Sequence, residues 1–241
     1  MKTNVKFMIV PVLLLCMAMT APQELLRMNY LAYLNADKEI WKQNVALATK
    51  IYQEDPTVDN LANLAKTEFG LLNITMKDED EDLFDDYVDN CEDHLKELED
   101  DSKYSGEAKA LLSSLYGYKM GYSPWKSMTL GPKSSRLLDE ALDIDPESPI
   151  VLKMLASNKY FTPAMWGGDV DKSLQLFEKS SQRFEEMGEE NSWMHLDNLA
   201  WQGIILTEKG EKEEAKVIYE KAAEMEPEFH WVTKVLLPGL E

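Results

Sequence analysis

Apolar residues recur three and four positions apart along nearly all of the chain after residue 22, the spacing that lays them on one face of an α-helix. No segment shows the strict two-residue alternation of a half-buried strand. Proline, and glycine at positions such as Gly131, Gly167, Gly168, Gly188 and Gly210, falls between these periodic segments, where it breaks helices. The pattern predicts helices over 23–36, 38–54, 59–76, 80–100, 105–121, 133–144, 149–161, 169–187, 191–208, 212–225 and 229–237. Taken in pairs, these make helical hairpins plus a short final helix. Several ends have a local cause. Asp169 is suited to cap the helix it precedes, and Pro149 to occupy a first turn. Asp55-Pro56, Asp145-Pro146 and Glu226-Pro227 end helices because proline drives the residue before it out of the helical region.

Residues 196–227 (LDNLAWQGIILTEKGEKEEAKVIYEKAAEMEP) are the most regular unit. Leu199, Gly203 and Leu206 share a side of one helix, Gly210 marks a turn, Ala215, Tyr219 and Ala222 share a side of the next, and Pro227 closes it. The small residues let two antiparallel helices approach closely, and Tyr219 fills the gap between them. This skeleton resembles the tetratricopeptide repeat. The resemblance is clear in 196–227, partial in 110–187 and faint before residue 105. It implies an all-α fold, a right-handed superhelix of stacked helix hairpins, and a binding scaffold rather than a catalytic machine.

With that unit as a ruler, a longer repeat emerges. Gly117, Ser134, Leu138 and Ala141 stand 39 residues before Ala156, Ser173, Phe177 and Ser180. The family repeat is about 34 residues. From first-helix to second-helix small residue is 17 positions in these units but 12 from Gly203 to Ala215, which places five extra residues in each intervening turn. The turns also match: Tyr122-Ser123-Pro124 with Trp125 aligns with Phe161-Thr162-Pro163 with Trp166. The organisation expected is thus a signal segment over 1–18 (cleavage as late as 20), degenerate repeats over 22–104, and clearer repeats over 105–241 with His230–Leu237 capping the end.

The signal expectation rests on Lys2 and Lys6 before the apolar run Phe7–Met19, which is short for a membrane span and is followed by small residues. It predicts a periplasmic or secreted protein with no membrane span in the mature chain. Leu15 before Cys16 disfavours a lipid anchor. Cys91 is then the one remaining cysteine, so no internal disulfide forms, and its place on an apolar stripe reads as a small buried hydrophobe. The formal charge of −19 argues against nucleic acid, which needs clustered cations.

Candidate chemistry is sparse. Asp78, Asp80 and Asp82 have the alternate spacing of a calcium loop but lack its glycine and closing glutamate. Cys91 and His94 are two residues, too few for zinc. Neither a nucleophile elbow, a phosphate loop nor a zinc-protease helix is present. The sequence therefore predicts no enzyme, no metal and no cofactor. Two surfaces remain. One is the pair of aromatic turns, Tyr122, Pro124 and Trp125 beside Phe161, Pro163, Met165 and Trp166, which serve either as a recognition patch or as packing that seals the array. The other is implied by the resemblance: a concave groove lined by inner first-helix residues, here Lys153, Ser157 and Tyr160, then Asp197, Ala200 and Ile204. A protein or peptide segment is the expected partner, with the oligomeric state open. The alternative is a small-molecule-binding accessory of an envelope transport system, with an apolar pocket at Tyr160, Trp166 and Trp201.

Overall fold

The computed structural model describes residues 21–240. The expected signal segment lies outside them. The described chain is all-α: α1 (Ala21–Leu34), α2 (Lys38–Glu54), α3 (Val58–Asp78), α4 (Glu81–Glu97), α5 (Ser105–Tyr122), α6 (Ser127–Ile144), α7 (Pro149–Phe161), α8 (Val170–Glu186), α9 (Trp193–Glu208) and α10 (Lys212–Met225). A short wide-turned helix, α11 (Trp231–Leu236), follows. Helices pack in consecutive pairs, a solenoid-like array, and each pair leans on the next.

The local causes are those expected. Asp169 caps α8 through the Lys172 amide, and Pro149 stands in the first turn of α7. Asp80 caps α4 and, with Asp78, holds Lys38 at 2.8 and 3.0 Å, so this acidic run stitches α2 to the α3–α4 turn. Within the last regular hairpin, a Cβ added to Gly203 would run into the Tyr219 ring, which is buried against it. Trp41 fills the corresponding space over Gly70. Where the repeat substitutes serine for a small apolar residue, the hydroxyl finds a carbonyl on the paired helix. Ser173 donates to Ala156, and Ser180 to Pro149. These bonds satisfy buried polar atoms without widening the helix contact.

One expected boundary is corrected. The five extra residues after α5 are not all turn, because α6 begins at Ser127 rather than near 133 and carries Gly131 and Pro132 inside it. Pro132 withholds its bond from the carbonyl four residues back, on Met128. Met128 is 88% exposed, so water is at hand to replace the lost donor. The matching insertion after α7 does stay a turn. Gly167 adopts φ +96°, and Gly168 has no room for a Cβ against the Thr162 carbonyl.

The core does not divide at residue 104. One apolar cluster runs from Leu25 to Met194, a second joins Leu34 to α7–α11, and Tyr30, Tyr33 and Leu155 pack against both. The array curls so that its ends meet: α1 touches α9, and the Trp41 and Trp193 rings lie 5.8 Å apart edge to face. Cys91 is buried at the α3–α4 contact. Burial pushes its thiol well above the ordinary value, as suits a packing residue.

Gly203→Ala is expected to destabilise the fold by about 1–3 kcal/mol, because Tyr219 has no space to yield into; urea denaturation measures it. The histidines offer a second check. The Glu68 hydrogen bond lifts His94 above its ordinary 6.5. Burial depresses His195 below the same value. By linkage, His94 adds stability at low pH that is lost as pH rises through its folded pKa. His195 adds stability above 6.5 that is lost as pH falls. Proton NMR titration should place the His94 midpoint above 6.5 and that of His195 below it.

Candidate binding surface

The groove residues and the turn residues have opposite fates. On α7 and α9, Lys153, Asp197 and Ala200 are buried, at 2%, 5% and 0% exposure. Ser157, Tyr160, Trp201 and Ile204 are half-buried. The groove expectation is corrected at Lys153, Asp197 and Ala200: there the inner face is occupied by the chain itself. Lys153 pairs with the Asp197 carboxylate and also donates to Asn198. From α1, Tyr33 donates to the other Asp197 oxygen at 2.8 Å, and its ring lies 5.4 Å from Trp193 and 5.6 Å from Phe229. Tyr30, also on α1, donates to Glu226 at 3.1 Å. Burial first, and then the Asp197 charge, push the Tyr33 hydroxyl well above its ordinary value, so it stays a donor. A buried charge pair of this kind costs desolvation to form but is far worse when half removed.

Further along the same face, aromatic side chains form a cluster around the half-buried Trp201. Tyr160 and Phe161 lie 5.3 and 5.2 Å from Trp201, and Trp231 of α11 is 6.4 Å beyond. Tyr160 donates to Glu208 at 2.8 Å. Burial followed by that carboxylate raises its pKa to about 12. Lys77 stands over the Trp231 ring at 4.6 Å, tying α3 to the C-terminal segment. The apolar pocket expected at Tyr160, Trp166 and Trp201 does not close, since Trp166 is 71% exposed and makes no ring contact with the cluster.

The turns, by contrast, face water. Trp125 is 75% exposed, Met165 81% and Phe161 63%, while Pro124 and Pro163 are exposed as well. Tyr122 is the exception: it turns inward, its ring 4.7 Å from Phe84 and its hydroxyl donating to the Thr75 carbonyl at 2.7 Å. No ring contact joins Trp125 to Trp166 among the described residues, so the two turns do not seal the array by stacking on each other. Met128, three residues past Trp125 and on the first turn of α6, extends this exposed set. The sequence hid it, because the proline and glycine after it marked it as loop. No group of three or more metal-ligating side chains occurs among the described residues, and no helix there is long and apolar enough to cross a membrane.

Asp197→Ala is expected to cost about 3–5 kcal/mol, since it strands Lys153 without its buried partner. Ser157→Ala on the same helix face as Lys153 should be nearly neutral; chemical denaturation of both variants separates a structural inner face from an open one.

No family model and no curated protein matches the sequence. Among solved structures, the fold is similar to the HusA haemophore from Porphyromonas gingivalis, at 20% identity and a TM-score of 0.61, over 78% of this chain and 94% of that one. BtubC (BKLC) from P. vanneervenii aligns over 80% of this chain and 74% of its own, at 18% identity and a TM-score of 0.41. At this level of identity, the likeness to the haemophore is a likeness of fold: an all-α array of paired helices.

Proposed function

We propose that the chain is a non-catalytic, exported scaffold of the tetratricopeptide type that binds a protein or peptide segment at its aromatic turns. The supporting observation is the exposure of Trp125, Met128, Phe161, Met165 and Trp166 on a fold that buries its other tryptophans wholly or in part. Aromatic and methionine side chains carry much of the affinity of protein interfaces, because they bury large area at low entropic cost. A soluble chain gains nothing in stability from presenting them to water. The inner face supports this role indirectly, since Lys153 and Asp197 are buried and already paired within the chain. Export to the periplasm or beyond follows from the signal segment read at 1–18.

Changing Trp125 and Trp166 together to Ala should lower partner capture about tenfold or more while leaving helical content unchanged. Crosslinking in cells followed by mass spectrometry supplies the partner, and circular dichroism supplies the control. A loss of helicity in the double variant would make these turns part of the core and sink the proposal.

The haemophore fold raises a second reading, a carrier of a flat apolar small molecule such as the haem that its name denotes. The exposed tryptophans and thioethers suit such a ligand. Titration with haemin tests it: a shifted Soret band lost in the double tryptophan variant supports a carrier, and an unshifted band removes haem from consideration.

A further inference from the structure

A second feature lies where α4, α5 and the start of α6 meet. An open cleft of about 330 Å³ is bounded there by Glu92, Tyr116, Lys119, Trp125, Lys126 and Lys133. Its charge is opposite to that of the molecule. The chain carries 44 acids against 25 lysines and arginines, yet three lysines and one glutamate converge on this cleft.

Pairing engages only part of this set, and Lys119 also lies 3.5 Å from Asp89. Glu92 is neutralised from two sides, by Lys119 and by Lys96 at 2.6 Å, and accepts from the Tyr116 hydroxyl at 3.3 Å. Lys126 and Lys133 have no carboxylate partner among the described residues, although most lysines of this acidic chain do. Lys126 directly precedes α6 with helical backbone angles and Lys133 lies seven residues on within it, about two turns, so the two share a face. The Lys126 ammonium stands 5.8 Å from the Trp125 ring centre. Trp125 is three-quarters exposed and offers a free aromatic face beside these charges. The unexpected extension of α6 back to Ser127 creates this arrangement. As a loop, residues 127–133 would not put both lysines on one face.

We propose that this cleft binds a small anion carrying a flat ring, an aromatic carboxylate or a chemically similar acid. The ring stacks on Trp125, and the anionic group sits between Lys126 and Lys133. The volume is at the lower end of ordinary small-molecule sites. An exposed ammonium pair attracts an anion with an ionic-strength dependence, because solvent-accessible charges are screened. The inference shares Trp125 with the proposed partner surface but does not rest on it. The lysine pair plays no part in capturing an apolar segment.

The test uses the chain with two fluorescent probes of the same ring system, pyrene-1-carboxylate and the neutral 1-pyrenemethanol. The wild-type protein should bind the carboxylate about tenfold more tightly at low salt, and the preference should fade as salt is raised. K126Q/K133Q should erase the preference while leaving binding of the neutral probe unchanged. The variant K172Q/K234Q, at two other lysines with no carboxylate partner, should keep it. W125A should weaken both probes. Melting curves of all variants should match the wild type, since each altered side chain is solvent-accessible. Equal affinity for the two probes in the wild type would overturn the proposal. So would a preference that survives in K126Q/K133Q, or one lost equally in K172Q/K234Q. Crosslinking bears on the partner reading alone; haemin also carries a flat ring and carboxylates, so the pyrene pair with K126Q/K133Q, and not haemin, decides this outcome.

Discussion

The buried ion pair between Lys153 and Asp197, with Tyr33 donating to the same carboxylate, fixes the shape on which every surface of this protein depends. Three helices distant in sequence, α1, α7 and α9, meet at that carboxylate. None of the three side chains tolerates a dry environment alone. Together they satisfy one another, and the aromatic rings of Trp193 and Phe229 close around them. The consequence is a curled array whose first and last hairpins touch. Its inner side is a packed interior rather than a channel.

In an open helical-repeat array the inner first-helix positions are free to meet a ligand. Here Lys153 and Asp197, two of those residues, are buried and bonded within the chain. The recognition proposed above falls to the turns of the two longer hairpins, where Trp125, Met165 and Trp166 are exposed. The extra residues do two different things there. After α7 they form a glycine-dependent loop that presents Met165 and Trp166. After α5 they add a helical turn that presents Trp125 and Met128 and aligns Lys126 with Lys133. One insertion length, used twice, thus yields a hydrophobic display in one repeat and a mixed aromatic and cationic cleft in the other.

Much of this was legible in the residues. The Gly203–Tyr219 contact, the Asp169 cap and the proline-ended helices are local, set by spacing within a hairpin, and the structure reproduces them. The start of α6 was hidden because Gly131-Pro132 reads as a breaker, yet a proline near a helix start costs little when the carbonyl it abandons faces water. The groove differs from its expectation for a different reason. Lys153 and Asp197 are 44 residues apart and Tyr33 and Asp197 are 164 apart. Nothing in the periodicity of α1 distinguishes a helix that caps one end of an array from one that folds across to the other. Amphipathic spacing fixes which face of a helix is buried but leaves its neighbour unspecified.

The claim that the chain fills its own inner face is tested most directly by amide hydrogen exchange in α1. If α1 is locked across α9, its amides between Leu25 and Leu34 should exchange as slowly as those of α9, and Tyr33→Phe should speed exchange in both helices together. Rapid exchange throughout α1, with α9 protected and indifferent to the Tyr33 change, would mean that the inner face stands open and would contradict the account.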